Sequence, residues 1–226
     1  MKVTFNVAGR DAPVQTDISN AVVAGWAGRD RDAIEHHIEE LAAIGVPRPS
    51  AVPLFYRIAD NQLTQAESVQ AVGKESSGEV ETFVFSVDGV MYVSIASDHT
   101  DRKLESHSVA LSKQLCIKPV ARDAWLFDEV ADYWDELVIR AYIEEDGRSV
   151  LYQEGTLASL QSPLDLIANY TGGARTLPEG TGMTCGTVAA IGGIRPAAAF
   201  TMELHDPRRN RTLRHAYQVE FLPEIA

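Results

Sequence analysis

Cysteine is nearly absent from this chain of 226 residues: Cys116 and Cys185 are the only two, far apart and outside any C-x-x-C spacing. That excludes a disulfide framework and a zinc knuckle, and two reduced thiols fit a cytoplasmic protein. Basic residues are also scarce, with 20 Lys and Arg against 32 Asp and Glu and a net charge of −12 with His neutral. This balance argues against a nucleic-acid backbone or an anionic membrane surface as partner. It leaves a small anionic substrate open, because a local cation can dominate one pocket. No apolar run is long enough to span a bilayer. The opening "MKVTFNVAGR" alternates like a strand and lacks the apolar core of a signal peptide. Low-complexity tracts and internal repeats are missing as well.

What is there reads as one strand-rich α+β domain over residues 1–226, with 1–60 forming an N-terminal strand-and-helix segment. The clearest helix is "GRDRDAIEHHIEELAAIG". Asp30 or Asp32 caps it, Gly45 ends it, Pro47 blocks its continuation, and Ile34, Ile38, Leu41 and Ile44 form its apolar stripe. "DEVADYWDEL" is expected to be helical, and Asp146-Gly147 is expected to turn a hairpin.

The run "GEVETFVFSVDGVMYVSIASD" predicts a second hairpin, with a type I′ turn at Asp88-Gly89. Counting back from a two-residue turn pairs Val87 with Val90, Phe85 with Tyr92, Phe83 with Ser94, Glu81 with Ala96 and Glu79 with Asp98. Opposed residues share a face, as do residues two apart. Glu79, Glu81 and Asp98 should therefore converge on a face that continues into Phe83, Phe85 and Tyr92. Three carboxylates on a largely apolar face repel one another and lose hydration, and a hard divalent cation resolves the conflict. The competing picture is an edge strand whose acids point to water; the cross-strand aspartate and the aromatic continuation weigh against it. His99 alternates to the opposite face and is not counted as a ligand. On the N-terminal helix, His37 and Glu40 are three apart and so are neighbours, either as a surface pair or as part of a site.

At these residues the chain resembles the fumarylacetoacetate hydrolase superfamily. That pattern has an E-x-E strand, a strand ending in D-x-T-x-R, a nearby Lys, and L-x-x-G followed by T-G-T. The counterparts here are "GEVETF", "SDHTDR", "LSKQ" and "LPEGTGMTCGT". An H-x-x-E-L helix followed by P-x-x-P-x-x-F is matched by "HHIEELAAIGVPRPSAVPLFYR". The resemblance implies a mixed β-roll core with peripheral helices and a homodimer. It implies Glu79, Glu81 and Asp98 as ligands of Mg²⁺, or of Mn²⁺ or Ca²⁺, acting on small 2-oxo or 1,3-dioxo acids. It implies that His37, assisted by Glu40 on a closing lid, activates water for C–C bond hydrolysis. Lys113 would offset substrate charge, and Thr187 would contact a carboxylate or oxyanion. Arg102 matches the family arginine, as a substrate contact or a support. The chain also departs from the pattern: Arg57, which the resemblance implies as a substrate contact, stands where hydrolases of the family usually have Lys, Glu105 where many have Gln, and Cys185 replaces the first Thr of T-G-T. Decarboxylation or isomerisation of an oxo acid by the same metal site is an alternative, and so is a non-catalytic small-acid binding protein.

Overall fold

The structure is a computed structural model that describes residues 1–43 and 45–225, the Leu41 side chain excepted. Two sheets dominate it. The larger has eight strands, in the spatial order Val14–Asp17, Lys2–Val7, Asp123–Leu126, Val90–Ser97, Val80–Val87, Thr181–Thr184, Asn20–Gly25 and Leu54–Ile58. The smaller has five: Arg148–Thr156, Val138–Glu145, Ala199–Asp206, Arg211–Leu222 and Ser68–Val72. Both are mixed. Lys2–Val7 runs parallel to Asp123–Leu126, Thr181–Thr184 to Asn20–Gly25, and Arg211–Leu222 to Ser68–Val72.

The hairpin Val80–Val87/Val90–Ser97 is central because both of its faces are covered. Val84, Val93 and Ile95 pack with Ile139, Ala141, Phe200 and Met202 of the smaller sheet. Phe83, Phe85 and Tyr92 point the other way; Phe83 and Phe85 stack with Phe5, whose ring lies 4.1 Å from that of Phe85, and Tyr92 stacks on Phe85. Burial on both faces puts apolar residues at both even and odd positions of these strands, broken by the buried Glu81, Thr82, Ser86, Ser94 and Ser97. The turn is as expected: Asp88 has φ 52° and Gly89 φ 74°, the positive pair that type I′ needs.

The N-terminal helix spans Arg31–Ala43. Asp30 caps it, its Oδ1 accepting from the amides of Asp32 and Ala33 at 3.0 and 3.1 Å. Of its expected apolar stripe, Ile38 is buried and Ile34 half-buried, while the Leu41 side chain and Ile44 lie outside the described residues. The hairpin at Asp146-Gly147 forms, joining Val138–Glu145 to Arg148–Thr156. "DEVADYWDEL" is not an α-helix. It folds as two 3₁₀ pieces, Phe127–Glu129 and Ala131–Glu136, interrupted at Tyr133 by a non-helical φ of −132°. Among the described residues no helix is long and apolar enough to cross a membrane.

Candidate metal and active site

The hairpin register runs without a bulge from Val87↔Val90 through Phe85↔Tyr92, Phe83↔Ser94 and Glu81↔Ala96 to Val80↔Ser97. One step further the Asp98 amide donates to the Glu79 carbonyl at 3.0 Å. Glu79 and Asp98 thus sit just past the ladder on facing strand ends, with Glu81 inside it. One oxygen from each of the three carboxylates lies within 4.8 Å of the others. Asp98 and Glu81 are buried and Glu79 nearly so.

Basic side chains serve these acids unequally. Arg102 reaches Glu79 Oε1 at 2.9 Å and donates to Glu105 Oε2 at 2.9 Å and to Ser77 Oγ at 2.7 Å. Lys113 Nζ lies 2.5 Å from Asp98 Oδ2 and 3.3 Å from Glu79 Oε2. Burial pushes the Asp98 carboxyl up, but Lys113 and Lys118 outweigh it and hold the group down at about 2. Glu79 is likewise held below its ordinary value, because Lys113 and Arg102 overcome its burial. Glu81 has no ion-pair partner among the described residues. It accepts from the Gly186 amide at 2.9 Å, while burial and the nearby Asp98 charge push it up to about 8. Gly186 adopts φ 88°, and a Cβ there would stand 2.8 Å from that of Ala27, so glycine is required for this approach.

The donor set fits a hard divalent cation. Three carboxylates converge, one keeps an uncompensated like-charge conflict, and Asp98 Oδ1 makes no hydrogen bond although Lys118 Nζ is 3.1 Å away. All-oxygen ligation of this kind suits Mg²⁺, Mn²⁺ or Ca²⁺.

Lys118 is a member of the site that no motif marks. It is wholly buried and also donates to the His99 carbonyl at 2.6 Å. The one available signal is a lone charge in the apolar stretch "LCIKPVA", which demands a buried partner. His99 itself turns to the opposite face. Its Nδ1 lies 3.0 Å from the Tyr217 hydroxyl and its Nε2 2.9 Å from Ser76 Oγ. Burial and Lys118 push its pKa down to about 3, so it stays neutral.

The carboxylates line a cavity of about 700 Å³ whose wall also includes Arg102, Glu105, Lys113, Thr187 and His37. His37 Nδ1 is 3.4 Å from Glu40 Oε2, and the His37 ring lies 5.9 Å from that of Trp26. Glu40 is shared: its other oxygen is 3.3 Å from His36 Nε2, but His36 does not line the cavity. Thr187 Oγ1 donates to the Val80 carbonyl at 2.7 Å and accepts from Gln153 Nε2 at 2.9 Å. Arg57 is not brought to the cavity. Alternation along Leu54–Ile58 buries Tyr56 and Ile58 and turns Arg57 outward to solvent. Cys185 is buried, and burial together with Glu81 pushes its thiol well above the ordinary range, which leaves it inert as a nucleophile.

The fold is that of the fumarylacetoacetate hydrolase superfamily, as the motifs lead one to expect. A protein provisionally named fumarylacetoacetate isomerase/hydrolase from Oleispira antarctica superposes with a TM-score of 0.64 at 15% identity, covering 96% of this chain and 99% of its own. One provisionally named fumarylpyruvate hydrolase from Burkholderia cenocepacia gives 0.61 at 15%, covering 99% and 96%. 2-Keto-3-deoxy-D-arabinonate dehydratase, complexed with magnesium and 2,5-dioxopentanoate, gives 0.62 at 16%, covering 95% and 78%. The chain belongs to the family described as "Protein of unknown function (DUF2848)", which residues 24–217 match. No curated protein matches it.

Proposed function

We propose that the protein is a divalent-metal-dependent hydrolase that cleaves a C–C bond in a small acylpyruvate-like acid. The observation that carries this reading is the convergence of Glu79, Glu81 and Asp98 on a cavity that also takes in His37. Glu79, Glu81 and Asp98 would hold Mg²⁺, Mn²⁺ or Ca²⁺. When bound, the ion supplies Lewis-acid polarisation of the substrate's oxo and carboxylate oxygens.

The rest of the chemistry falls to the chain. Glu40 orients the His37 ring through Nδ1, which leaves Nε2 to take a proton from water as the water oxygen attacks the acyl carbonyl. The C–C bond then breaks, its electron pair passing to the carbon next to the 2-oxo group, and the His37 proton completes the pyruvate-like product. Lys113 offsets the developing charge. Thr187 contributes once its hydroxyl leaves the Val80 carbonyl. Arg102 supports the site by holding Glu79 and Glu105. The neighbouring dehydratase, with its magnesium and dioxo acid, supports pairing a metal with an oxo acid on this fold.

The cavity is also walled by Trp26, Ile34, Leu160, Val188, Ala190 and Ile194. Among the described residues, Arg102 and Lys113 are its only Arg or Lys side chains, and both are engaged by carboxylates. An uncharged, apolar acyl tail suits that wall. A second reading, oxo-acid decarboxylation or isomerisation, draws support from the openness of His37, whose side chain is 60% exposed. The family resemblance extends the proposal to a homodimer in the cytoplasm.

Release of pyruvate from a panel of acylpyruvates, with Mg²⁺ or Mn²⁺ added to metal-stripped protein, tests the reaction. His37→Ala should lower turnover by at least about 100-fold while metal binding stays intact. Unchanged turnover in that variant removes the dyad from the mechanism. Binding without turnover across the panel favours a small-acid binding protein.

A further inference from the structure

Lys113 enters the carboxylate cluster from the cavity side. It sits on the short helix Val109–Gln114, capped by Ser108, whose Oγ accepts from the Leu111 amide at 3.2 Å. Its side chain is 11% exposed, and its ammonium engages Asp98 Oδ2 and Glu79 Oε2 together. Each of these acids already has another cation. Lys118, which is fully buried and does not line the cavity, takes the other Asp98 oxygen. Arg102 takes the other Glu79 oxygen. Lys113 is therefore a third cation, placed on two of the three carboxylates that would ligate a metal.

We propose that Lys113 is an internal cation of the metal site, whose ammonium competes with the divalent ion for Asp98 and Glu79. The inference rests on the metal reading above and adds a condition to it. A dication brought among three carboxylates that already face Arg102, Lys113 and Lys118 leaves buried positive charge in excess. Lys118 is enclosed and Arg102 is fixed by three acceptors, Glu79, Glu105 and Ser77. Lys113 alone combines an open side toward the cavity with a flexible four-carbon stem. Metal entry displaces it from Asp98, and the freed ammonium becomes available to an anionic substrate. Without metal, the same lysine keeps the acids paired and the site folded.

The test is calorimetric titration of Mg²⁺ and Mn²⁺ into metal-stripped wild type, Lys113→Met and the control Lys103→Met. Lys103 is exposed and pairs with Glu224, away from the cluster. Circular dichroism checks the fold, and Lys113→Gln replaces Lys113→Met if the latter fails to fold. The expected result is at least tenfold tighter metal binding by Lys113→Met and none of that gain in Lys103→Met. Thermal melts should show the metal-free Lys113→Met protein melting below wild type, with saturating metal closing the gap. Equal or weaker binding by a folded Lys113 variant overturns the inference while leaving the metal reading in place. Binding by the variant but not by wild type supports the inference in its strongest form, with lysine standing in for metal, and removes the metal-dependent hydrolase. Binding by neither protein defeats both.

Discussion

Asp98 is fully buried between two lysines, and they are not equivalent. Lys113 can leave through the cavity, whereas Lys118 cannot. Lys118→Met would leave the His99 carbonyl without its donor and Asp98 with one fewer cation, both fully buried. Removing one member of a buried pair typically costs about 3 kcal/mol. Urea unfolding of Lys118→Met should show a loss of that order even in metal-free protein. A change within about 0.5 kcal/mol would mean that the Asp98 charge is carried by Lys113 alone. Lys118 also shows why the site was only partly legible in the sequence. Glu79, Glu81 and Asp98 follow from counting along one hairpin, but the partner of Lys118 is found only after the segment 99–117 has folded back over Asp98.

At the scale of elements, alternation and turn chemistry are local and were readable; long-range pairing was not. Both hairpins form where Asp-Gly sits between strand-like runs. The segment "DEVADYWDEL" fails as an α-helix because tertiary contacts override its propensity. Tyr133 leaves helical geometry, its hydroxyl donates to Asp206 Oδ2 at 3.0 Å, and the Arg208 guanidinium lies 4.6 Å above its ring. Asp206 lies at the end of Ala199–Asp206 with its side chain fully buried, and it also accepts from Arg211 Nε at 3.0 Å and from the amides of Arg208 and Arg209 at 3.1 and 3.2 Å. Burial pushes its carboxyl up, but the Arg209 amide, Arg211 and Tyr133 outweigh that and hold it below the ordinary value. A carboxyl with a depressed folded pKa stabilises above its unfolded value of about 3.9, and that contribution is lost as pH falls through the folded pKa. Asp206→Asn should therefore cost about 2 kcal/mol at pH 7, with the gap to wild type shrinking below about pH 4. Urea midpoints measured across pH 2.5–7 check this; a constant gap would mean that the lost interaction is not the ionised carboxylate.

The whole molecule brings the two sheets and the N-terminal helix to one cavity lined by both ionic and apolar side chains. The carboxylate cluster was largely legible, since its members lie on adjacent strands. The apolar wall was not, because it gathers Trp26, Ile34, Leu160, Val188 and Ile194 from distant segments. Arg57, expected at the cavity through the family pattern, is turned away by the alternation of its own strand. With Arg102 and Lys113, both at the carboxylate cluster, the only Arg or Lys among the described cavity-lining residues, acylpyruvates with alkyl or aryl tails should exceed carboxylate-tailed analogues by at least about tenfold in kcat/KM, since a buried charge without a partner is strongly disfavoured. Comparable rates for the two sets would show that the tail does not meet this wall.

Asp88-Gly89 lies at the far end of the hairpin from the carboxylates, roughly 25 Å away at strand rise. Turn and acids are nonetheless one mechanical unit. Every pairing from Val87↔Val90 to Val80↔Ser97 is inherited from the length of that turn. One residue inserted there and absorbed as a slip of the second strand would carry Asp98 off Glu79 and send alternate side chains to the wrong face. The convergence of the three carboxylates is thus calibrated from a distance, by a surface loop with no chemistry of its own. A one-residue insertion at the turn should abolish metal binding in calorimetry even where circular dichroism still reports a folded, strand-rich protein.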